Sequence, residues 1–165
     1  APGSCRGLIN SVGATNLNTR VEDSLFQGFA TGVFLQGSAP ATPTTGHRLQ
    51  GNAFMLNTVG VSFDNAQNVQ VTGNGFRDQT LEQMGLFNPG SNVVASGNKF
   101  DDSSSISVFT GTPADTASLD ARNNFWGGPG GPATVGNNPR VNEFGTGTFN
   151  VQTDPFLTTD PFPGF

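Results

Sequence analysis

Leu49-Gln50-Gly51-Asn52-Ala53-Phe54, Val71-Thr72-Gly73-Asn74-Gly75-Phe76 and Ala95-Ser96-Gly97-Asn98-Lys99-Phe100 are three versions of one frame: an aliphatic or small residue, a spacer, Gly, Asn, a spacer and Phe. Three looser copies flank them. Ala121-Arg122-Asn123-Asn124-Phe125-Trp126 puts Trp in the aromatic slot, and Val21-Glu22-Asp23-Ser24-Leu25-Phe26 puts Ser in the Asn slot. Val151-Gln152-Thr153-Asp154-Pro155-Phe156 puts Asp there. The polar slots fall at 24, 52, 74, 98, 124 and 154, separated by 28, 22, 24, 26 and 30 residues. Recurrence on this scale marks a solenoid, in which each unit is too small to bury a face alone and must stack on the next.

A second element recurs between these rungs. Gly7-Leu8-Ile9, Gly32-Val33-Phe34, Gly60-Val61-Ser62-Phe63 and Gly85-Leu86-Phe87 read as short strands opened by Gly, with Ser105 to Val108 as a weaker fifth copy. Val69 to Val71, Leu119 to Ala121 and Phe149 to Val151 alternate at period two, as half-buried strands do. Each unit is thus two or three very short strands and turns, with no room for a helix. Stacked at about 4.8 Å, equivalent residues lie directly above one another. An Asn amide carries both donor and acceptor, so a column of them bonds along the stack. Gly before it supplies the bend, and the Phe two positions later piles into an aromatic column.

The expected fold is all-β: a parallel β-helix of about six coils forming one domain over 1–165. The coils run from about 7 to 157, and a Pro- and Phe-rich segment, 154–165, caps the last coil's edge, because Pro cannot donate to a ladder. The expected ladder is Ser24, Asn52, Asn74, Asn98, Asn124 and Asp154, and the expected stack Phe26, Phe54, Phe76, Phe100, Trp126 and Phe156. Gly7-Leu8-Ile9 sits where a repeat is already half over, so the expectation is either a piece of a longer solenoid or another molecule covering that end.

The chain of 165 residues is 34% hydrophobic and only 12% charged, with 23 Gly, 11 Pro and 15 Phe. The Phe count argues for a real core over disorder. The scarcity of Ala, Leu, Glu and Lys excludes a helical bundle, and no apolar run approaches the roughly 20 residues that span a bilayer. A net charge of −5 disfavours nucleic acid and anionic membrane as partners. One cysteine, Cys5, rules out a disulfide framework within the chain. A single Lys, an acidic balance and abundant Gly, Asn, Ser and Thr suit a secreted or cell-surface protein.

The Gly-Asn-x-Phe rungs resemble those of the pectate-lyase-like right-handed β-helix family. Asn123-Asn124-Phe125-Trp126-Gly127-Gly128-Pro129 with Phe149 to Leu157 is similar to the C-terminal end of secreted bacterial β-helix repeat regions. The resemblance implies a right-handed coil over about 7–157. Its functional reach is short, because lyases, hydrolases, adhesins and tailspikes share the architecture.

Stacking in register sets Asp78 above or below Asp102 and Arg77 beside Asp101. One reading makes Asp78, Asp102 and Arg77 acid, base and cation for a polysaccharide lyase or hydrolase. Another makes Asp78, Asp101 and Asp102 a Ca²⁺ site, with no other cofactor expected. The plainer reading is a surface cluster neutralised by Arg77. His47, the only histidine, excludes a His-rich metal site and is expected to be structural.

Three functions follow. A non-catalytic structural or interaction β-helix, self-assembling end to end as part of a filament, surface layer or adhesin, is favoured by the sparse charges. Its partner is protein, either itself or a larger assembly. An enzyme on polysaccharide rests on the Asp78/Asp102 pair. A carbohydrate-binding module requires exposed aromatics on one face, which a chain without Tyr and with Trp126 in a core slot supplies poorly.

Overall fold

A computed structural model describes residues 5–10, 18–36, 44–87, 92–101, 104–132 and 141–165. Among these there is no helix, and none long and apolar enough to cross a membrane. The chain winds through three parallel sheets of six, six and five strands, with a two-stranded pair at one corner. The first sheet stacks Arg6–Asn10, Thr31–Gln36, Val59–Asp64, Glu82–Phe87, Ser105–Phe109 and Val141–Phe144. The second stacks Arg20–Glu22, Arg48–Gln50, Val69–Thr72, Val93–Ser96, Thr116–Asp120 and Thr148–Gln152. The third stacks Leu25–Gln27, Ala53–Met55, Gly75–Arg77, Lys99–Phe100 and Phe125–Trp126. This is a β-solenoid of about four turns rather than six.

The corner between the second and third sheets explains the Gly-Asn pair. Asp23, Gly51, Gly73, Gly97 and Asn123 all have positive φ, between 47° and 67°, a bend that Gly, Asn and Asp enter most readily. Where the next residue is an asparagine it turns inward, whereas Ser24 turns its Oγ back to the Glu22 carbonyl at 2.9 Å and meets the ladder only through its backbone N–H. Asn52 Oδ1 accepts from the Ser24 backbone N–H at 3.0 Å, Asn74 Oδ1 from that of Asn52 at 2.9 Å. Asn98 serves Asn74, and Asn124 serves Asn98, each at 2.9 Å. The side-chain amides of Asn52, Asn74 and Asn98 donate up the same column and to the carbonyls of Val21, Leu49 and Val71. Every level repeats one pairing, and leaving any of these buried groups unpaired costs roughly 1–3 kcal/mol.

Two residues on, Phe26, Phe54, Phe76 and Phe100 stack with centroids 5.2, 4.9 and 5.0 Å apart, and Trp126 tilts onto Phe100 at 5.0 Å. Glycines 7, 32 and 60 leave room for these rings: a Cβ on Gly32 would lie 3.0 Å from the Phe54 ring, and one on Gly60 3.0 Å from Phe76. Elsewhere the interior holds Val33, Val61, Met84 and Ile106 in one column and Val69, Val93 and Leu119 in another, with Phe63 also fully buried. His47 heads the latter column, 1% exposed, as a structural histidine should. Burial lowers its pKa.

The last rung departs from expectation. Thr148–Gln152 pairs residue for residue with Thr116–Asp120, Val151 opposite Leu119, and Leu157 bridges Phe125. Phe156, not Asp154, therefore reaches the level of Asn124. Asp154 is exposed and outside the ladder, and Phe156 packs on the core beside the column without joining the ring stack. A two-residue slip keeps the same side chains inward, so spacing alone does not detect it. Pro155 and Leu157 pair with the last level of the third sheet, the Pro155 carbonyl accepting from the Asn123 N–H and the Leu157 N–H donating to the Asn124 carbonyl, and beyond Leu157 the tail runs back along the outer face of that sheet. Lys99 Nζ holds Asp160 at 2.7 Å and the carbonyls of Phe162 and Phe165 at 3.2 and 2.9 Å. The Phe165 ring occupies the place a side chain at Gly75 would take.

Candidate functional site

Asp78 occupies another corner in the left-handed region, φ 57°, with its side chain exposed. Its N–H donates to the Asp101 carboxylate at 2.6 Å, and Gln83 Nε2 donates to the same carboxylate at 2.9 Å. The Arg77 guanidinium lies 3.5 Å from Asp78 and 5.4 Å from the centre of the Phe165 ring. These residues clamp a turn and the returning tail. Asp102 lies outside the described residues. Among the described residues no group of three His, Cys, Asp or Glu side chains is placed to hold a metal.

A different constellation lies on the outer face of the first sheet. Sequence spacing aligns Gly85 with Gly60, yet Gly85 pairs with Ser62, and the residue level with Gly60 is Gln83. The outward row at this position is Ile9, Phe34, Ser62, Gly85, Ser107 and Asn142. Ser62, Gly85 and Ser107 are small, so the row sinks into a trough. The next outward row is Gln36, Asp64, Phe87, Phe109 and Phe144. Its three rings stack with centroids 4.5 and 4.8 Å apart, and Phe144 remains 45% exposed. This surface column partly meets the requirement for exposed aromatics that composition left unmet.

At the trough's lower end is a groove of about 450 Å³, lined by Arg6, Phe34, Ser62, Asp64, Glu82 and Phe87, with exposed Leu81 at its lip. The Arg6 guanidinium lies 4.2 Å from the centre of the Phe34 ring. Gln36 Nε2 donates to Asp64 Oδ2 at 3.0 Å. Glu82 is 7% exposed. Its carboxylate folds over Gly85, where a Cβ would collide with Glu82 Oε2 and touch the Phe87 ring at 3.0 Å. Burial raises the Glu82 pKa, and a hydrogen bond from Ser107 offsets part of the rise. A raised carboxyl lining the same groove as a second carboxylate is an arrangement suited to proton transfer or to holding a cation.

Sequence reasoning missed Glu82 because the two-residue misalignment hid its place on the sheet; the signal was that Glu82-Gln83-Met84 replaces the Gly-Val pair of the earlier strands. No protein-family model, no curated protein and no solved structure matches this chain.

Proposed function

We propose that the chain is a non-catalytic structural and interaction module of a secreted or cell-surface β-helix protein. It makes contact through the outer face of its first sheet and stacks end to end with another copy or with further coils of a larger assembly. The observation that carries this reading is the solvent-facing column Phe87, Phe109 and Phe144 beside a groove, because exposed aromatic surface next to a concavity favours contact. The resemblance of the Gly-Asn-x-Phe rungs to the pectate-lyase-like family supports a right-handed coil and an extracellular setting. Light scattering and electron microscopy of the concentrated protein test the stacking: end-to-end oligomers are expected, and a strictly monodisperse monomer would contradict it.

A second reading, a polysaccharide hydrolase or lyase, is favoured by one observation, the raised Glu82 carboxyl sharing a groove with Asp64. New reducing ends or unsaturated products from acidic or neutral polysaccharides, with and without Ca²⁺, would replace the first reading by this one if Glu82→Gln abolishes them.

A further inference from the structure

We propose that the groove on the first sheet binds an arginine side chain of a partner polypeptide, its guanidinium lying against the Phe34 and Phe87 rings and paired with Asp64 and Glu82. The inference deepens the interaction reading above and rests on it.

Three observations converge. First, the groove holds two carboxylates and, among the described residues, no ion pair closer than 4 Å joins either to a cation. Arg6, the cation in the lining, lies against Phe34 instead. A carboxylate as buried as Glu82 favours a partner of opposite charge, and the net charge of −5 favours a basic partner at long range.

Second, the rings border a slot of the right depth. One face of Phe87 is stacked on Phe109, at 4.5 Å. Below its other face the column changes from aromatic to Asp64. Phe34 lies one strand further down, two residues back along the strand direction. Planes two strands apart are separated by about 9–10 Å and the two-residue offset adds about 6.6 Å along the strand, so a flat group at the height of Val59–Asp64, midway between the rings, lies about 6 Å from each ring centre, at the limit of cation–π reach.

Third, the molecule already uses this chemistry once. Arg6 over Phe34 at 4.2 Å is a guanidinium on one of the groove's own rings. A planar guanidinium stacks and pairs with carboxylates together, which a lysine ammonium does less well.

Calorimetric titration with a hexa-arginine peptide at physiological salt tests the proposal on the whole chain. Binding is expected, tighter than for hexa-lysine. The Asp64→Asn/Glu82→Gln double variant should weaken it at least tenfold, whereas Glu22→Gln, a charge change on the second sheet, should leave it within twofold. Phe34→Leu keeps both carboxylates and should also weaken binding, which guards against a double variant that fails to fold. Absence of binding, equal loss in Glu22→Gln, or undiminished binding by the double variant and Phe34→Leu would overturn it. Self-association measured without peptide reports separately on the interaction reading, so the two fail in distinguishable ways.

Discussion

The ladder corner and the outer face of the first sheet are stacked on the same spacing but constrained in opposite ways. At the corner, each level bends at a positive-φ residue, and from Asn52 to Asn124 an asparagine carbonyl accepts from the backbone of the level below. The pairing is the same at every level, so the residues repeat. On the outer face, Phe34, Ser62, Gly85 and Ser107 follow one another in a single row with no shared packing demand. Repetition marks what the solenoid needs in order to stack, and its loss marks where a surface is shaped for something else.

The contrast is broken most forcefully by truncating one ring from each column. Phe76→Ala, at 0% exposure between two stacked rings, should cost about 3–5 kcal/mol. Phe109→Ala, in the partly exposed outer column, should cost about 1 kcal/mol, the scale of an aromatic pair. Equal losses in chemical denaturation would show that the outer column is core-like.

Lys99→Met comes next. It removes the cation that holds Asp160 and two tail carbonyls; burial disfavours the Asp160 carboxylate, but Lys99 and the Phe162 N–H outweigh it and hold its pKa low. A loss of about 1–3 kcal/mol is expected, with faster proteolysis confined to 158–165; uniform cleavage along the chain would contradict a separately docked tail.

The pH dependence sharpens the comparison between interior and groove. The folded state holds the Glu82 proton more tightly than the unfolded chain does, so this contribution is full below the ordinary value of 4.5 and is lost as pH rises above it. His47 acts oppositely: its pKa is lowered, the unfolded chain takes the proton first, and stability falls as pH drops below 6.5. In thermal denaturation the pH profile of Glu82→Gln should therefore lack the contribution that favours wild type below 4.5 and fades as pH rises above it, while keeping the acid-side loss due to His47. An unchanged profile would place Glu82 in solvent. The smallest effect is expected at the turn that sequence spacing singled out: Asp78→Asn, still suited to positive φ, should change stability by no more than about 0.5 kcal/mol.

Most of the architecture was legible because its causes recur. The Gly-Asn-x-Phe frame located four asparagines and five rings of the interior, and the glycines before Asn52, Asn74 and Asn98 adopt the bend that their lack of a side chain permits. Two errors had one origin. Asp154 and Gly85 were each assigned two residues out of register, a shift that leaves the inward and outward faces unchanged and so leaves the hydrophobic pattern satisfied. Long strand pairing decides the matter in both places. A second set of inward amides was also missed: Asn57 accepts from Phe29, and Gln79 from Asn57, three residues after each Phe, where Gln for Asn obscures the repeat. The groove was illegible because its residues occur once each.

The most direct test of the account is residue-resolved amide hydrogen exchange in Asn74→Leu. The ladder is directional: the Asn52 N–H donates to Asn74 Oδ1, whereas the Asn98 N–H donates to Asn124. The variant should be destabilised by about 1–3 kcal/mol, with the Asn52 amide losing protection and the Asn98 amide retaining it. Undiminished protection at Asn52, or equal loss at both, would contradict a column of asparagines bonded level to level.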